Sequence, residues 1–394
     1  HADKHMLKYR DNGDLFECND GGVYLSTNNG TSWADKTNGM IISQMYKLGV
    51  SQTNATETIT GLQDNGSKLF FSNSWDDVKG GDGMECLIDY TTSNIQYATY
   101  VNGQITRTTN HWASDTDIEP SAAGEGAWVT PYIIDPDNHN TLYAGYADVW
   151  KTTNKGDSWN KISTMNTSSK IRAMAIAPSD NEVLYVSDPN EIWKTTNGGD
   201  TWSDITSNLP LSGSSITYIA VKADSPNTVW VSLSGYNSNL VFESTNGGSS
   251  WTNISDGLPS VPSYTIVQNT QAVSTIHLYL GTELGVYFKD GNNDWEEYNT
   301  NLPKVQCGEL EIYYAGNPAN SKLRLASYGR GLWESPLVIE NTDLPSVQTT
   351  TPTNITQTTA TLGGNVTNQG TSNISERGVV YSTSSNPTTD DIKI

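Results

Sequence analysis

Short runs of alternating apolar and polar residues fill the first 337 positions, and none keeps a helical period for long. Gly22-Val-Tyr-Leu25, Asp148-Val-Trp-Lys151, Glu191-Ile-Trp-Lys194 and Leu240-Val-Phe-Glu243 are one such set. A period of two puts successive side chains on opposite faces of a strand. Ahead of three of these lies a second set: Thr141-Leu-Tyr-Ala-Gly145, Val183-Leu-Tyr-Val-Ser187 and Thr228-Val-Trp-Val-Ser232. A third set precedes it, at 132–134, 173–177 and 218–221. The segment after each turn supplies a fourth strand. The pattern therefore predicts four-stranded antiparallel meanders repeated every 45 or so residues.

A turn closes each repeat. Ser26-Thr-Asn-Asn-Gly-Thr-Ser-Trp33 matches Thr152-Thr-Asn-Lys-Gly-Asp-Ser-Trp159, Thr195-Thr-Asn-Gly-Gly-Asp-Thr-Trp202 and Ser244-Thr-Asn-Gly-Gly-Ser-Ser-Trp251. Thr108-Thr-Asn-His-Trp112, read as shortened by three residues, and Lys289-Asp-Gly-Asn-Asn-Asp-Trp295 are degenerate copies. Asn28, Asn154, Asn197 and Asn246 are placed to bond backbone N–H groups across the turn. Gly30, Gly156, Gly199 and Gly248 supply positive φ. Trp33, Trp159, Trp202 and Trp251 then bury a ring between neighbouring units. These are structural clips rather than catalytic groups.

A thin four-stranded unit cannot bury both faces alone, and radial stacking solves this. The expected fold is all-β: a propeller of about seven or eight four-stranded blades over 1–337, whole or part of a larger one, then a linker at 338–352 and a partial β-sandwich at 353–394. The strand containing Gly329-Arg-Gly-Leu-Trp-Glu334 has no clip after it. The last blade is therefore expected to be incomplete, the array open at its N-terminal edge, and a strand from the N-terminal side to fill the gap. The chain reads as a piece of a longer protein.

Composition narrows the function. The formal net charge is −21, which argues against nucleic acid, whose phosphates need clustered Lys and Arg. No apolar run reaches the length of a membrane helix. Cys18, Cys86 and Cys307 are an odd set without zinc spacing and read as lone cysteines in strands.

The clips resemble the Asp-box, or BNR, repeat, with Asn in place of the usual Asp; Asn keeps the side chain–backbone bonds. That family includes sialidases, xyloglucanase-type glycoside hydrolases and sortilin-type receptors, so the repeat says more about fold than activity. A more specific resemblance covers 1–110. His1-Ala-Asp-Lys-His5, Asn19-Asp-Gly-Gly-Val-Tyr24, Gly61-Leu-Gln-Asp-Asn-Gly66 and Gly80-Gly-Asp-Gly-Met-Glu85 look like the core block of secreted bacterial sortilin-type and xyloglucanase-like propellers. Ala360-Thr-Leu-Gly-Gly-Asn-Val366 and Glu376-Arg-Gly-Val-Val-Tyr-Ser-Thr383 are similar to fibronectin-type-III-like modules of Bacteroidetes surface proteins. The resemblance implies export across the outer membrane, by type IX secretion, to the medium or cell surface.

Candidate chemistry lies in the same block. His1, Asp3 and His5 share one face of a strand and suit a transition metal, a proton relay or plain polar packing. Gln63-Asp64-Asn65 and Asp82 occupy turns one blade apart, with Asp20 and Glu85 nearby. Asp3, Asp64 and Asp82 are the candidate carboxylates for glycoside hydrolysis. His1, His5, Asp20, Gln63, Asp64, Asn65, Asp82 and Glu85 are candidates for ligand contact, and the carboxylates suit Ca²⁺ as well. Turn stabilisation is the plain alternative for all of them. Sialidase chemistry fits poorly, because Arg10, Arg107, Arg172, Arg324 and Arg330 are scattered without the arginine motif that family carries. Trp75, Tyr132, Trp150, Tyr236 and Tyr264 would stack on sugars if exposed, though aromatics in propeller strands are mostly core. The sequence points first to a secreted binding or adhesion protein engaging an extracellular glycan or protein. A xyloglucanase-type hydrolase and a structural component of a surface assembly are the alternatives.

Overall fold

The computed structural model describes residues 3–165, 169–211, 213–339, 346–368, 376–383, 387–388 and 391–393. The chain divides into two compact units: 1–271 with 275–337, and 272–274 with 338–394. In the second, strand Ser346–Thr349 pairs with Gly364–Asn368, and Val380–Tyr381 pairs with Ile392–Lys393. The first of these strands lies in the Pro/Thr-rich stretch.

The first unit is a closed seven-bladed β-propeller with one further sheet outside the ring. Blades one to seven span 45–79, 86–117, 132–161, 173–204, 216–253, 263–297 and 307–336. Strands run in sequence order from the axis outward, four in each blade except the three-stranded seventh. The first strands of all seven border one axial cavity, lined by Lys47, Leu87, Ile133, Met174, Tyr218, Tyr264 and Glu309 among others. Apolar clusters fill the gaps between blades. One joins blades four and five through Tyr185, Ile192, Ile219, Val231 and Phe242. Another joins blades two and three through Tyr97, Ile105, Tyr132 and Leu142.

The ring closes where blade seven meets blade one. Carboxylate oxygens of Glu309 and Glu311 accept the N–H groups of Leu48 (3.0 Å) and Val50 (2.8 Å). The Gln52 side chain donates to the Ile312 carbonyl (2.9 Å) and accepts from the Tyr314 N–H (3.1 Å). Arg324 reaches across to the carbonyls of Ala55 and Glu57 and to the Thr58 hydroxyl. No strand crosses this closure among the described residues.

The expected N-terminal strand does not complete blade seven. Lys4–Tyr9 pairs instead with Leu15–Asn19. The turn between them is short and local, with Gly13 at φ 88° and its N–H on the Arg10 carbonyl. Such a hairpin closes at less entropic cost than a pairing made across the whole ring. Gly22–Ser26 and Ala34–Asp35 complete a sheet that lies outside the ring. The chain re-enters at Ser43, whose carbonyl accepts from Gly329 and Gly331.

The clips form as the residue types require. In the copy at 195–202 the Thr195 hydroxyl accepts from the N–H groups of Asn197 and Gly199, and donates to Asn197 Oδ1. Asn197 Oδ1 accepts from the Thr201 N–H (2.9 Å), and its amide donates to the Thr201 hydroxyl (2.9 Å). The same bonds recur around Asn28, Asn154 and Asn246. Indole N–H groups of Trp159, Trp202 and Trp295 donate to the carbonyls of Ile118, Ile162 and Ile254 in the preceding blade. Trp33, which has no preceding blade, stays 40% exposed.

Thr108–Ser114 corrects the reading of a shortened copy. Asn110 Oδ1 accepts from the Ser114 N–H, and the Thr108 hydroxyl accepts from the Trp112 N–H, as in a full-length clip. Trp112 therefore occupies the glycine position, at φ 63°. Its indole donates to Gln96 Oε1 within its own blade (2.8 Å).

Asn197→Ala should destabilise the protein by about 1–2 kcal/mol, since the Thr201 N–H and the hydroxyls of Thr195 and Thr201 lose a partner. Asn197→Asp should stay within about 0.5 kcal/mol, because the Thr201 hydroxyl can turn to donate. Urea midpoints of the two variants check this.

Candidate functional site

Each blade runs down, up, down and up from the axis outward. The turns before first strands and between second and third strands therefore share one face, here called upper. The clips lie on the other. The turns that carry Gln63, Asp64, Asn65 and Asp82 are on the upper face, away from the clips.

The centre of that face is a chain of hydrogen bonds. Trp128 Nε1 donates to the Tyr46 hydroxyl (3.2 Å), and that hydroxyl donates to Gln63 Oε1. Gln63 Nε2 donates to Asp82 Oδ1 (2.9 Å), which also accepts the Asp64 N–H (2.7 Å). The Tyr46 and Tyr328 rings lie 5.3 Å apart. The Gly-rich sequence makes this packing possible. A Cβ on Gly61 would sit 2.0 Å from the Met84 carbonyl oxygen, and one on Gly83 would sit 2.2 Å from that of Gly66. At Gly81 (φ 78°) the Tyr100 ring occupies the place of a side chain.

The outer sheet meets the ring here. Asn65 Nδ2 donates to the Asp20 carbonyl (3.0 Å), and His5 Nε2 pairs with Asp20 Oδ1 (2.5 Å). That hydrogen bond, followed by the charges of Asp20, Asp3 and Asp64, raises the imidazole pKa above its ordinary value. The fold thus brings together His5, Asp20, Gln63, Asp64, Asn65 and Asp82. Asp3 is exposed near them, and His1 lies outside the described residues. Asp64 adopts a left-handed conformation, φ 58°, at the tip of its turn.

Glu85 is turned away from this group into the axial cavity, which has a volume of about 340 Å³. There Lys47 Nζ lies 3.2 Å from Glu309 and 3.8 Å from Glu85. Burial alone would push the Lys47 ammonium down, but Glu309, Glu85 and Glu311 outweigh it and leave it raised. Burial, and then the charge of Glu309, push the Glu85 and Glu311 carboxyls well above the glutamate range. Tyr218 covers Lys47, its ring centroid 5.1 Å from Nζ.

Sequence reasoning missed the aromatics that border this site. Trp128 is 48% and Tyr100 40% exposed, though each sits in or beside a strand-like segment. Of the aromatics singled out, Trp75 and Tyr236 are exposed and Tyr132 is buried, its hydroxyl on the Glu85 carbonyl. Trp150 and Tyr264 are half-buried. The Gly-rich segment before Trp128 is the only local signal that it stands on a loop. Lys47 and Glu309 lie 262 residues apart, so nothing local announces their pairing. Among the described residues no three His, Cys, Asp or Glu side chains converge as metal ligands do. The cysteines lie free in three strands, with Cys86 and Cys307 buried.

The family model described as "Sortilin, neurotensin receptor 3" matches residues 147–283, across blades three to six. YCF48 from Cyanidioschyzon merolae superposes with a TM-score of 0.54 at 12% identity, covering 75% of this chain and 96% of that one. The chain is a β-propeller. YCF48 bound to D1 peptide gives a TM-score of 0.54 at 13% identity, over 78% of this chain and 95% of that one. An ancestral GH74 enzyme gives a TM-score of 0.43 at 17% identity, over 85% of this chain and 60% of the enzyme. No curated protein matches. At identities this low the two YCF48 structures speak for the fold alone. Among the described residues no helix of the propeller or of the second unit is long and apolar enough to cross a membrane.

Proposed function

We propose that this is a secreted or cell-surface binding protein that engages an extracellular glycan or protein through the upper face of its propeller. The observation that carries the reading is the platform itself. Exposed rings of Trp128 and Tyr100 flank a fixed row of polar groups from Tyr46 to Asp82. Flat aromatic faces beside a few oriented donors and acceptors are what a sugar or an extended peptide needs for recognition. One oxygen of Asp82 is occupied by Gln63 and the Asp64 N–H, which suits a carboxylate that shapes a surface more than one that shuttles protons. The motifs in 1–110 and 353–394 support a Bacteroidetes surface protein with a fibronectin-III-like module, exported by type IX secretion. Adhesion is the natural use of a propeller that shares its chain with such a module.

The test uses the intact chain and soluble β-glucans in affinity electrophoresis. Retardation is expected for wild type, with at least about tenfold weaker binding for Trp128→Ala and an unchanged melting temperature. No new reducing ends should appear. Reducing ends released by wild type and lost in Asp82→Ala would replace this reading with a glycoside hydrolase.

A further inference from the structure

The carboxyl groups of the axial cavity are unequally served. Glu309 is fully engaged: the Leu48 N–H (3.0 Å) and Lys47 Nζ (3.2 Å) donate to its two oxygens, and the Tyr218 hydroxyl donates as well (3.4 Å). Glu311 takes the Val50 N–H (2.8 Å). Glu85 lacks such partners. It is 7% exposed and lines the cavity, yet among the described residues its carboxyl makes no hydrogen bond with a side chain. Lys47 Nζ, 3.8 Å away, is held closer by Glu309. Burial, then the charge of Glu309, raise the Glu85 carboxyl, and Lys47 and the Cys86 N–H only partly oppose them. Three carboxyl groups thus face one buried ammonium, and a second cation would let Glu85 ionise.

The walls say what kind of cation fits. A calcium ion needs about six to eight oxygens, and among the described residues no three acidic, His or Cys side chains converge on one point. An organic ammonium needs one carboxylate and aromatic faces. Rings of Tyr132, Tyr218, Tyr264 and Trp128 line the cavity, and Tyr218 already covers Lys47. The volume of about 340 Å³ is at the lower end of the range for small-molecule pockets, about 300–1,000 Å³. That suits one ring-sized unit better than the thin alkyl chain of a lysine. Arg172 and Gln306 stand just before the first strands of blades four and seven, so the cavity opens toward the upper face, beside Tyr46 and Trp128. The Gln306 amide is half-buried, makes no side-chain hydrogen bond among the described residues, and offers a donor and an acceptor to hydroxyls.

We propose that the axial cavity is the inner subsite of the upper-face platform and binds an amino-sugar unit of a glycan, its ammonium group against Glu85. This rests on the platform being a glycan-binding surface. The ring lies among Tyr132, Tyr218 and Tyr264, its hydroxyls reach Gln306, and the rest of the glycan runs outward past Trp128. Binding favours the ionised form of Glu85 and so releases a proton, a release that Glu311 shares. Affinity therefore falls as pH drops. The groups that face Glu85 are Lys47, Glu309, Glu311, Tyr218, Tyr132 and Cys86, with Arg172 exposed at the rim. Burial holds Tyr132, Tyr218 and Cys86 neutral, their pKa values well above their ordinary ranges.

The test is isothermal titration calorimetry of the intact chain with a β-1,4-linked glucosamine tetramer and with its N-acetylated counterpart, which keeps the rings and loses the charge. At pH 7 the glucosamine tetramer should bind at least about tenfold more tightly than the N-acetylated one. At pH 5 that advantage should shrink, with proton release on binding. Glu85→Gln should cut the advantage at pH 7 to under about threefold and leave the affinity for the N-acetylated tetramer unchanged. Equal affinity for the two tetramers would overturn the proposal. So would an advantage that survives Glu85→Gln, which is what loose attraction to the chain's 43 acidic residues would give. Nα-acetyl-lysine N-methylamide binding as tightly as the glucosamine tetramer would also overturn it, in favour of a protein side chain. If neither tetramer binds while β-glucan still retards the chain, this proposal fails alone; if β-glucan retardation is absent as well, the platform reading fails with it.

Discussion

Arg324→Ala is expected to destabilise the propeller by about 3–5 kcal/mol, the range for removing one partner from a buried charged network. Arg324 is 3% exposed and joins the two ends of the ring. It donates to the Glu57 carbonyl (3.2 Å), the Thr58 hydroxyl (2.7 Å) and the Ala55 carbonyl in blade one, and to Glu334 (3.0 Å) in blade seven. Its loss leaves buried acceptors without a donor at the only blade junction that joins the two ends of the ring. Arg324→Lys retains the charge but not the planar fork, and should lose about half as much. Urea midpoints measure both. A loss under about 1 kcal/mol for Arg324→Ala would mean that apolar packing of Met45, Leu48, Val50 and Ala326 closes the ring by itself.

The axial cavity should make stability depend on pH in an unusual direction. Glu85 and Glu311 have carboxyl pKa values raised by burial and by the charge of Glu309. A raised carboxyl holds its proton more tightly in the folded state than in the unfolded one. Its contribution is complete below the ordinary glutamate range and is lost as pH rises through the folded value. Glu85→Gln should therefore match wild type in mild acid and exceed it in stability as pH rises toward 8. The groups that face this site from the surrounding blades are Lys47, Glu309, Glu311, Arg172 and Tyr218. Lys47→Met is the opposite case. It removes the cation that Glu85 and Glu309 contact and should cost about 3–5 kcal/mol at neutral pH. That cost should shrink in a Glu309→Gln background. Urea titrations at pH 5 and pH 8 check both, and parallel pH profiles for wild type and Glu85→Gln would contradict the assignment.

The repeat was legible because its period, its strand alternation and its Asn and Gly positions are all local properties. Asn154, Asn197 and Asn246 make the bonds that their spacing suggests. Trp112 shows where local reading stops. Its place at a glycine position is stabilised by Gln96 and by the bonds of Asn110, which a count to the next tryptophan does not reveal. The number of blades in the ring is also non-local. The Asn28 clip fits the same pattern as the others, yet its sheet stands outside, because blade seven reaches blade one directly. The polar candidates were legible from the Gly-rich turns around Asp64 and Asp82. Their aromatic border was not, since Tyr46, Tyr100 and Trp128 come from three different blades or loops and meet only after closure.

Hydrogen exchange of the intact chain, with and without the β-glucan that retards it, tests the central claim most directly. The account predicts added protection at 44–46, 63–66, 80–85 and 126–131, on the upper face. Protection confined to the clips at 108–114, 152–159 and 195–202, with the upper face unchanged, would contradict it.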